Sequence, residues 1–276
     1  MGNSRHLLPL LLASCSAPTP NEPIAPRWLF SVTLGRDAEE LTVLATLPPG
    51  PALDLTVAPS GVPFLTDIQV EANGSMQAAV FVDETLHLAA AGTSRLLRWR
   101  FRARAASTAI DDIDLAAWRG RGFMGSLAAF LPQPVEASPD LGFDLSVDSP
   151  PSLAFACVGE RTADGWRGAL NELPMLPACT FGAIVVRALP LGEQLDAPRI
   201  DVVELSPRPA RYAEALDEWV LDAARAITPF FGKFPVDSLL LVVASGRHPG
   251  ISGGTARGLG VARIFVDVPP RFGKEQ

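Results

Sequence analysis

Leu97-Arg98-Trp99-Arg100-Phe101-Arg102-Ala103-Arg104 alternates apolar and cationic side chains along its whole length. Successive side chains of a strand point to opposite faces, so this period of two puts Trp99, Phe101 and Ala103 on one face and four arginines on the other. One face suits a core and the other suits water or an anion. Arginine pairs well with phosphate and carboxylate, so Arg98, Arg100, Arg102 and Arg104 read either as an anionic-ligand or headgroup patch or as a solvated face balanced by acids such as Asp67 and Glu71.

Working outward, the same short apolar or alternating runs fill the chain from Trp28 to about Val203, separated by Pro, Gly, Asn and Asp. Trp28 to Leu34, Leu41 to Leu47, Leu53 to Val57 and Leu65 to Glu71 are expected strands, and Asn73-Gly74 before Gln77 to Val82 suits a two-residue hairpin turn. Asn73-Gly74-Ser75 also matches a glycosylation acceptor. No helical period is sustained here, and the region reads as a β-sandwich. The pattern changes after Pro207 and Pro209. Tyr212, Leu216, Trp219, Val220, Ala223 and Ile227 recur at spacings of three and four, which predicts an amphipathic helix through about Thr228, with acids in its first turns and Pro229 and Gly232 as its stop. Leu239 to Ala244 is apolar on both faces, as a covered strand is, and a Gly-rich loop from Gly246 to Gly260 leads to a last strand, Val261 to Val266. The expected fold is therefore mostly β, with a β-sandwich over residues 28–206 followed by the first α/β elements of a second domain over 207–276.

At 276 residues and 48% apolar composition the chain can build real cores, and its net charge of -7 disfavours a polyanion such as nucleic acid as a partner. Arg5 and His6 precede an apolar run, Leu7 to Ala13, that is too short to span a bilayer. Residues 1–15 thus have the shape of a signal peptide, and Leu12-Ala13-Ser14-Cys15 resembles a bacterial lipobox. There Cys15 would carry the lipid and become the mature N-terminus, placing the protein in the cell envelope with a membrane as partner; a cleaved secretory signal is the alternative. Residues 16–27 form a Pro-rich tether. With Cys15 modified, Cys157 and Cys179 are left as an even pair in an oxidising compartment. They read as a disulfide, or else as two buried thiols acting as small hydrophobes. In Leu153-Ala154-Phe155-Ala156-Cys157 the alternation sets Cys157 on the face of Leu153 and Phe155.

Catalytic groups are scarce. The histidines are His6, His87 and His248, no two at i, i+4 spacing, so no His-Glu-x-x-His zinc site exists, and no Cys-x-x-Cys does. His87 reads as a strand residue. Asp111, Asp112 and Asp114 offer oxygens suited to calcium but lack the Gly-spaced pattern of a calcium loop. Gly250-Ile251-Ser252-Gly253-Gly254 satisfies the Gly-x-Ser-x-Gly elbow formally, yet no histidine follows Ser252 and a strand, not a helix, is expected after it.

Phe130-Leu131-Pro132, Glu172-Leu173 with Phe181-Gly182, the helix carrying Trp219, Phe231-Gly232-Lys233-Phe234-Pro235, and Gly253-Gly254 ahead of a strand follow one another in a distinctive order. In this order and spacing the chain from Leu131 onward resembles the glycyl aminopeptidase family of gluzincin metallopeptidases, distant relatives of aminopeptidase N. The resemblance implies an N-terminal β-sandwich leading into a thermolysin-like domain, and a role for Gly253 and Gly254 in presenting edge-strand backbone to an extended peptide substrate. It also implies a zinc-binding His-Glu-x-x-His helix shortly after the strand that matches Val261 to Val266, with a further glutamate ligand beyond it. The 276 residues stop before that helix. No catalytic or metal-ligating residue is therefore assigned in this chain, no cofactor is expected on it, and zinc is expected only if the chain continues. Where family members place an acid after the glycine pair to hold the substrate amine, this sequence has Thr255-Ala256-Arg257, and a cation there repels an ammonium. The resulting expectation is the N-terminal portion of a lipid-anchored, metallopeptidase-like protein, inactive by itself. Its rival is a complete, non-enzymatic envelope lipoprotein whose sandwich binds a partner.

Overall fold

A computed structural model describes residues 27–175, 177–194, 197–246, 254–257 and 262–271. Cys15, with the signal and nearly all of the tether, lies outside the described residues, as do His248, Ser252 and Gly253. In chain order the first elements are β1 (Arg27–Leu34), β2 (Leu41–Leu47), β3 (Leu53–Thr56), β4 (Leu65–Ala72), β5 (Ser75–Ala78), β6 (Leu86–Leu88), β7 (Arg95–Phe101) and helix α1 (Ala103–Ala109). Next come β8 (Ala116–Arg119), β9 (Gly122–Ser126), β10 (Gln133–Pro134), β11 (Gly142–Asp148), β12 (Ala154–Cys157), β13 (Glu160–Arg161), β14 (Trp166–Ala169) and β15 (Ala178–Gly182). The last are β16 (Val185–Pro190), β17 (Arg199–Glu204), helix α2 (Ala210–Phe231), β18 (Ser238–Ser245), β19 (Gly254–Arg257) and β20 (Ala262–Val268).

Alternation builds the outer sheet, whose order is β13-β14-β11-β1-β2-β7-β4-β5. Trp28, Phe30, Val32 and Leu34 of β1 face inward, and in register with β2 the large Phe30 lies beside the small Ala45. The hairpin predicted at Asn73-Gly74 joins β4 to β5 with φ of 53° and 75° at its two residues, a left-handed pair that asparagine and glycine tolerate best. β7 contributes Leu97, Trp99 and Phe101 to the core, and the Trp99 indole donates to the Phe130 carbonyl at 2.9 Å.

The four-arginine face is cut to two. β7 ends at Phe101, and α1 follows because Ala103, Ala105 and Ala106 are strong helix formers beside Arg104. Arg98 and Arg100 stay on the exposed sheet face, where Arg100 meets Asp67 at 3.3 Å, whereas Arg104 lies over the Trp118 ring.

The second sheet, β12-β15-β9-β8, is covered on both sides, and its sequence shows how. Phe123, Phe155, Phe181, Cys157 and Cys179 point into the sandwich core, while Met124, Ala156 and Ala178 point the other way. The Phe181 ring stacks on Phe123 at 4.7 Å and on Phe155 at 6.0 Å. A small three-stranded sheet, β10-β3-β6, closes part of the same core.

The third large sheet, β16-β17-β18-β20-β19, packs on the far side of the second one. β18 serves both of its faces. Leu240, Val242 and Ala244 meet the sandwich side, and Leu239, Leu241 and Val243 meet α2, whose Leu216, Val220 and Ala224 form the buried stripe. β17, α2 and β18 form a parallel βαβ unit, and β20 adds parallel to β18. The protein is thus layered as outer sheet, middle sheet, α/β sheet and helix. β16 and β17, which the sequence pattern groups with the sandwich, are bonded into the α/β sheet, so that sheet starts ahead of Pro207. α2 also runs past Pro229 and ends at Gly232, whose φ of 76° is the left-handed cap glycine accepts readily.

Candidate functional site: the edge of the α/β sheet

The Gly-rich segment expected as a loop holds a strand. β19 runs antiparallel to β20 with Gly254 opposite Val266, Thr255 opposite Phe265, Ala256 opposite Ile264 and Arg257 opposite Arg263. It is the outermost strand of its sheet, with β20 on one side and no other strand, among the described residues, on the other. Thr255 and Ala256 are exposed. An edge of this kind can bond an added extended segment through its backbone alone. Gly254, one of the two glycines expected to present backbone, opens this strand; its neighbour Gly253 lies outside the described residues. A strand in this place also leaves no helix where the Gly-x-Ser-x-Gly elbow needs one.

Two ion-pair systems brace the sheet that carries the edge. On its helix side, Arg187 of β16 donates from Nε and Nη2 to the Asp217 carboxylate of α2 at 2.8 to 3.1 Å, and from Nη1 to Glu204 of β17. Glu204 is 1% exposed and also faces the buried guanidinium of Arg208. Burial opposes the charge on Arg187, but its bonds to Asp217 and Glu204 outweigh that and hold its pKa above the ordinary guanidinium value. For Arg208 burial prevails and the pKa falls. On the sandwich side, Arg263 of β20 pairs with Asp114.

Two acids of the Asp111, Asp112 and Asp114 cluster have partners within the protein. Asp112 accepts the Asp114 backbone N–H at 2.9 Å, a turn-forming role, and Asp114 points at an arginine. Among the described residues no three His, Cys, Asp or Glu side chains converge where a metal ion could be held. His87 is an exposed strand residue, its Nδ1 2.7 Å from the Asp54 carboxylate directly across the strand pair.

Cys157 and Cys179 stand opposite one another on β12 and β15, but the expected disulfide is absent and both are free, buried thiols. The Val158 N–H donates to the Ala178 carbonyl, so the cysteines one step along form a non-hydrogen-bonded pair. Such pairs have Cα atoms about 4.5 Å apart, the short limit for a disulfide. Burial raises both thiol pKa values. A raised acid stays protonated in the fold while the unfolded chain ionises, so stability is full below the unfolded thiol pKa and falls as pH rises above it. Each thiol should contribute a slope of about 1.4 kcal/mol per pH unit above about pH 8.5. Urea unfolding of the reduced protein from pH 8 to 10 should show that loss, and the Cys157→Ala/Cys179→Ala variant a shallower one; parallel curves would contradict the burial argument.

No protein-family profile and no curated protein matches the chain. Solved structures share its fold. It is similar to an aminopeptidase N family protein from Idiomarina loihiensis at 11% identity and a TM-score of 0.63, over 90% of this chain and 44% of that one. An M1 zinc metallopeptidase from Deinococcus radiodurans aligns at 16% identity and a TM-score of 0.48, over 91% of this chain and 61% of that one. The chain thus spans less than two thirds of either protein.

Proposed function

We propose that this chain supplies the β-sandwich and the peptide-accepting edge of a lipid-anchored, aminopeptidase-like zinc metallopeptidase. Cys15 is its membrane anchor and the cell envelope its location. The observation that carries the reading is β19, an outermost strand opened by Gly254, in a sheet packed against a sandwich. The fold likeness to an aminopeptidase N family protein supports it. The described residues do not fit a zinc site, so the metal and the general base of hydrolysis would come from elsewhere in a longer product. What these residues do is hold an extended peptide against the sheet edge. Arg257 in the same strand disfavours a free N-terminal ammonium, so the reading stops short of amino-terminal specificity.

The test compares the 276-residue chain with a product extended through any downstream His-Glu-x-x-His helix, both taken from the membrane fraction. The extended product should bind zinc stoichiometrically and hydrolyse small peptides in a chelator-sensitive way, and the shorter chain should do neither. Mass spectrometry should find acyl chains on an N-terminal Cys15 in both. Zinc or chelator-sensitive hydrolysis in the short chain would defeat the reading, and an unmodified N-terminus elsewhere would remove the anchor.

A further inference from the structure

The layer between the middle sheet and the α/β sheet is apolar almost throughout, built from residues such as Ala117, Met124, Val203, Leu240 and Val242. Apolar contact is non-directional and leaves two sheets free to slide by small amounts. Among the described residues, Asp114 and Arg263 make a charged contact across this layer. Asp114 comes from the turn ahead of β8, where the Asp112 side chain and carbonyl bind the N–H groups of Asp114, Leu115 and Ala116 at 2.9 to 3.1 Å and make the turn rigid. Arg263 comes from β20, 149 residues along the chain. Their side chains are 14% and 5% exposed. Arg263 lies directly opposite Arg257, the last residue of β19, so whatever holds Arg263 holds the strand to which the edge is bonded. The Nε and Nη1 of Arg263 are buried and have no hydrogen-bond partner among the described residues. Without the Asp114 carboxylate the guanidinium would be left as a buried cation with little to compensate it.

We propose that Asp114 and Arg263 are positioning residues: through this ion pair the sandwich fixes β20 and thereby sets the place of the β19 edge. The inference rests on the reading of β19 as the peptide-accepting edge for its functional meaning, but not for its test. Hydrogen exchange of the full chain, read by mass spectrometry, follows β19 separately from the sandwich. Asp114→Asn keeps the shape and removes the charge, and it should speed exchange at Thr255 to Arg257 by at least about tenfold while β1, β2 and β18 change little. Arg263→Lys keeps a charge but not the planar fork, and should give an intermediate rate. Unchanged exchange at β19 in Asp114→Asn would overturn the proposal, as would an equal loss of protection in every strand. Tetra-alanine added to the parent chain tests the other reading independently. If it fails to protect β19 the peptide-accepting edge is wrong and the latch stands; if Asp114→Asn leaves β19 unmoved, the latch is wrong whatever the peptide does.

Discussion

Arg187→Met should lower the unfolding free energy by about 3–5 kcal/mol, because it leaves the Asp217 carboxylate without its cation and the buried Glu204 with Arg208 alone. Arg187 is the only described cation bonded to Asp217, and it holds that helix carboxylate with a two-nitrogen fork while its third nitrogen reaches Glu204. Glu204 is fully buried, so its charge cannot turn to solvent when Arg187 is lost. Arg187→Lys should recover only part of the loss, since an ammonium cannot serve both carboxylates with the same geometry. The double change Arg187→Met/Asp217→Leu, which leaves Glu204 paired with the buried Arg208, should be less damaging than the single one, since it removes the carboxylate that lost its cation. Urea denaturation measures all three. A loss under about 1 kcal/mol for Arg187→Met would mean that the network is screened like a surface pair.

Phe181→Ala should cost about 3–5 kcal/mol, the range for deleting a buried aromatic ring and leaving a cavity behind. The ring is fully buried on the middle sheet, stacked between Phe123 and Phe155, with Phe130 edge-on at 6.4 Å. Its neighbours are held by backbone pairing on both sides of β15, so they cannot collapse far into the space. Phe181→Leu keeps much of the volume and should lose distinctly less. Thermal unfolding with near-ultraviolet circular dichroism reads both the stability and the aromatic packing. Equal melting temperatures for Phe181→Ala and the parent would show that this stack is not the centre of the core.

Much of the local structure was legible because local rules govern it. The alternation in Trp28 to Leu34 and Leu41 to Leu47 marks inward faces whatever the partner strand, and these two strands lie where that pattern puts them. Asn73-Gly74 makes its own turn, and the spacing of Leu216 and Val220 picks out the buried face of α2. Leu239 to Ala244 is apolar at every position because a sheet covers one face and a helix the other. The alternation around Cys157 set it on the Phe155 face, and there it lies.

Periodicity was least reliable where two local tendencies compete. Arg102 and Arg104 continue the alternating pattern of β7, yet the alanines among them favour a helix, and no partner strand continues past Phe101 to hold them extended. The glycines between Gly246 and Gly260 suggest a loop from composition alone. Pairing with β20 makes four of those residues a strand and so creates the edge on which the functional reading depends.

By itself, then, the amino-acid sequence determined the mostly β character, the inward and outward face of each regular strand, the helix after Pro209 and the scarcity of histidine, three in 276 residues. These follow from side-chain period, backbone propensity and residue chemistry within a few positions. Only the tertiary structure decided that β16 and β17 join the α/β sheet, that Gly254 opens an outermost strand, that Cys157 faces Cys179 as a thiol, and that Asp114 meets Arg263. Each of these joins positions distant in the chain, and such a contact depends on how whole sheets stack, a property that no short window of sequence contains.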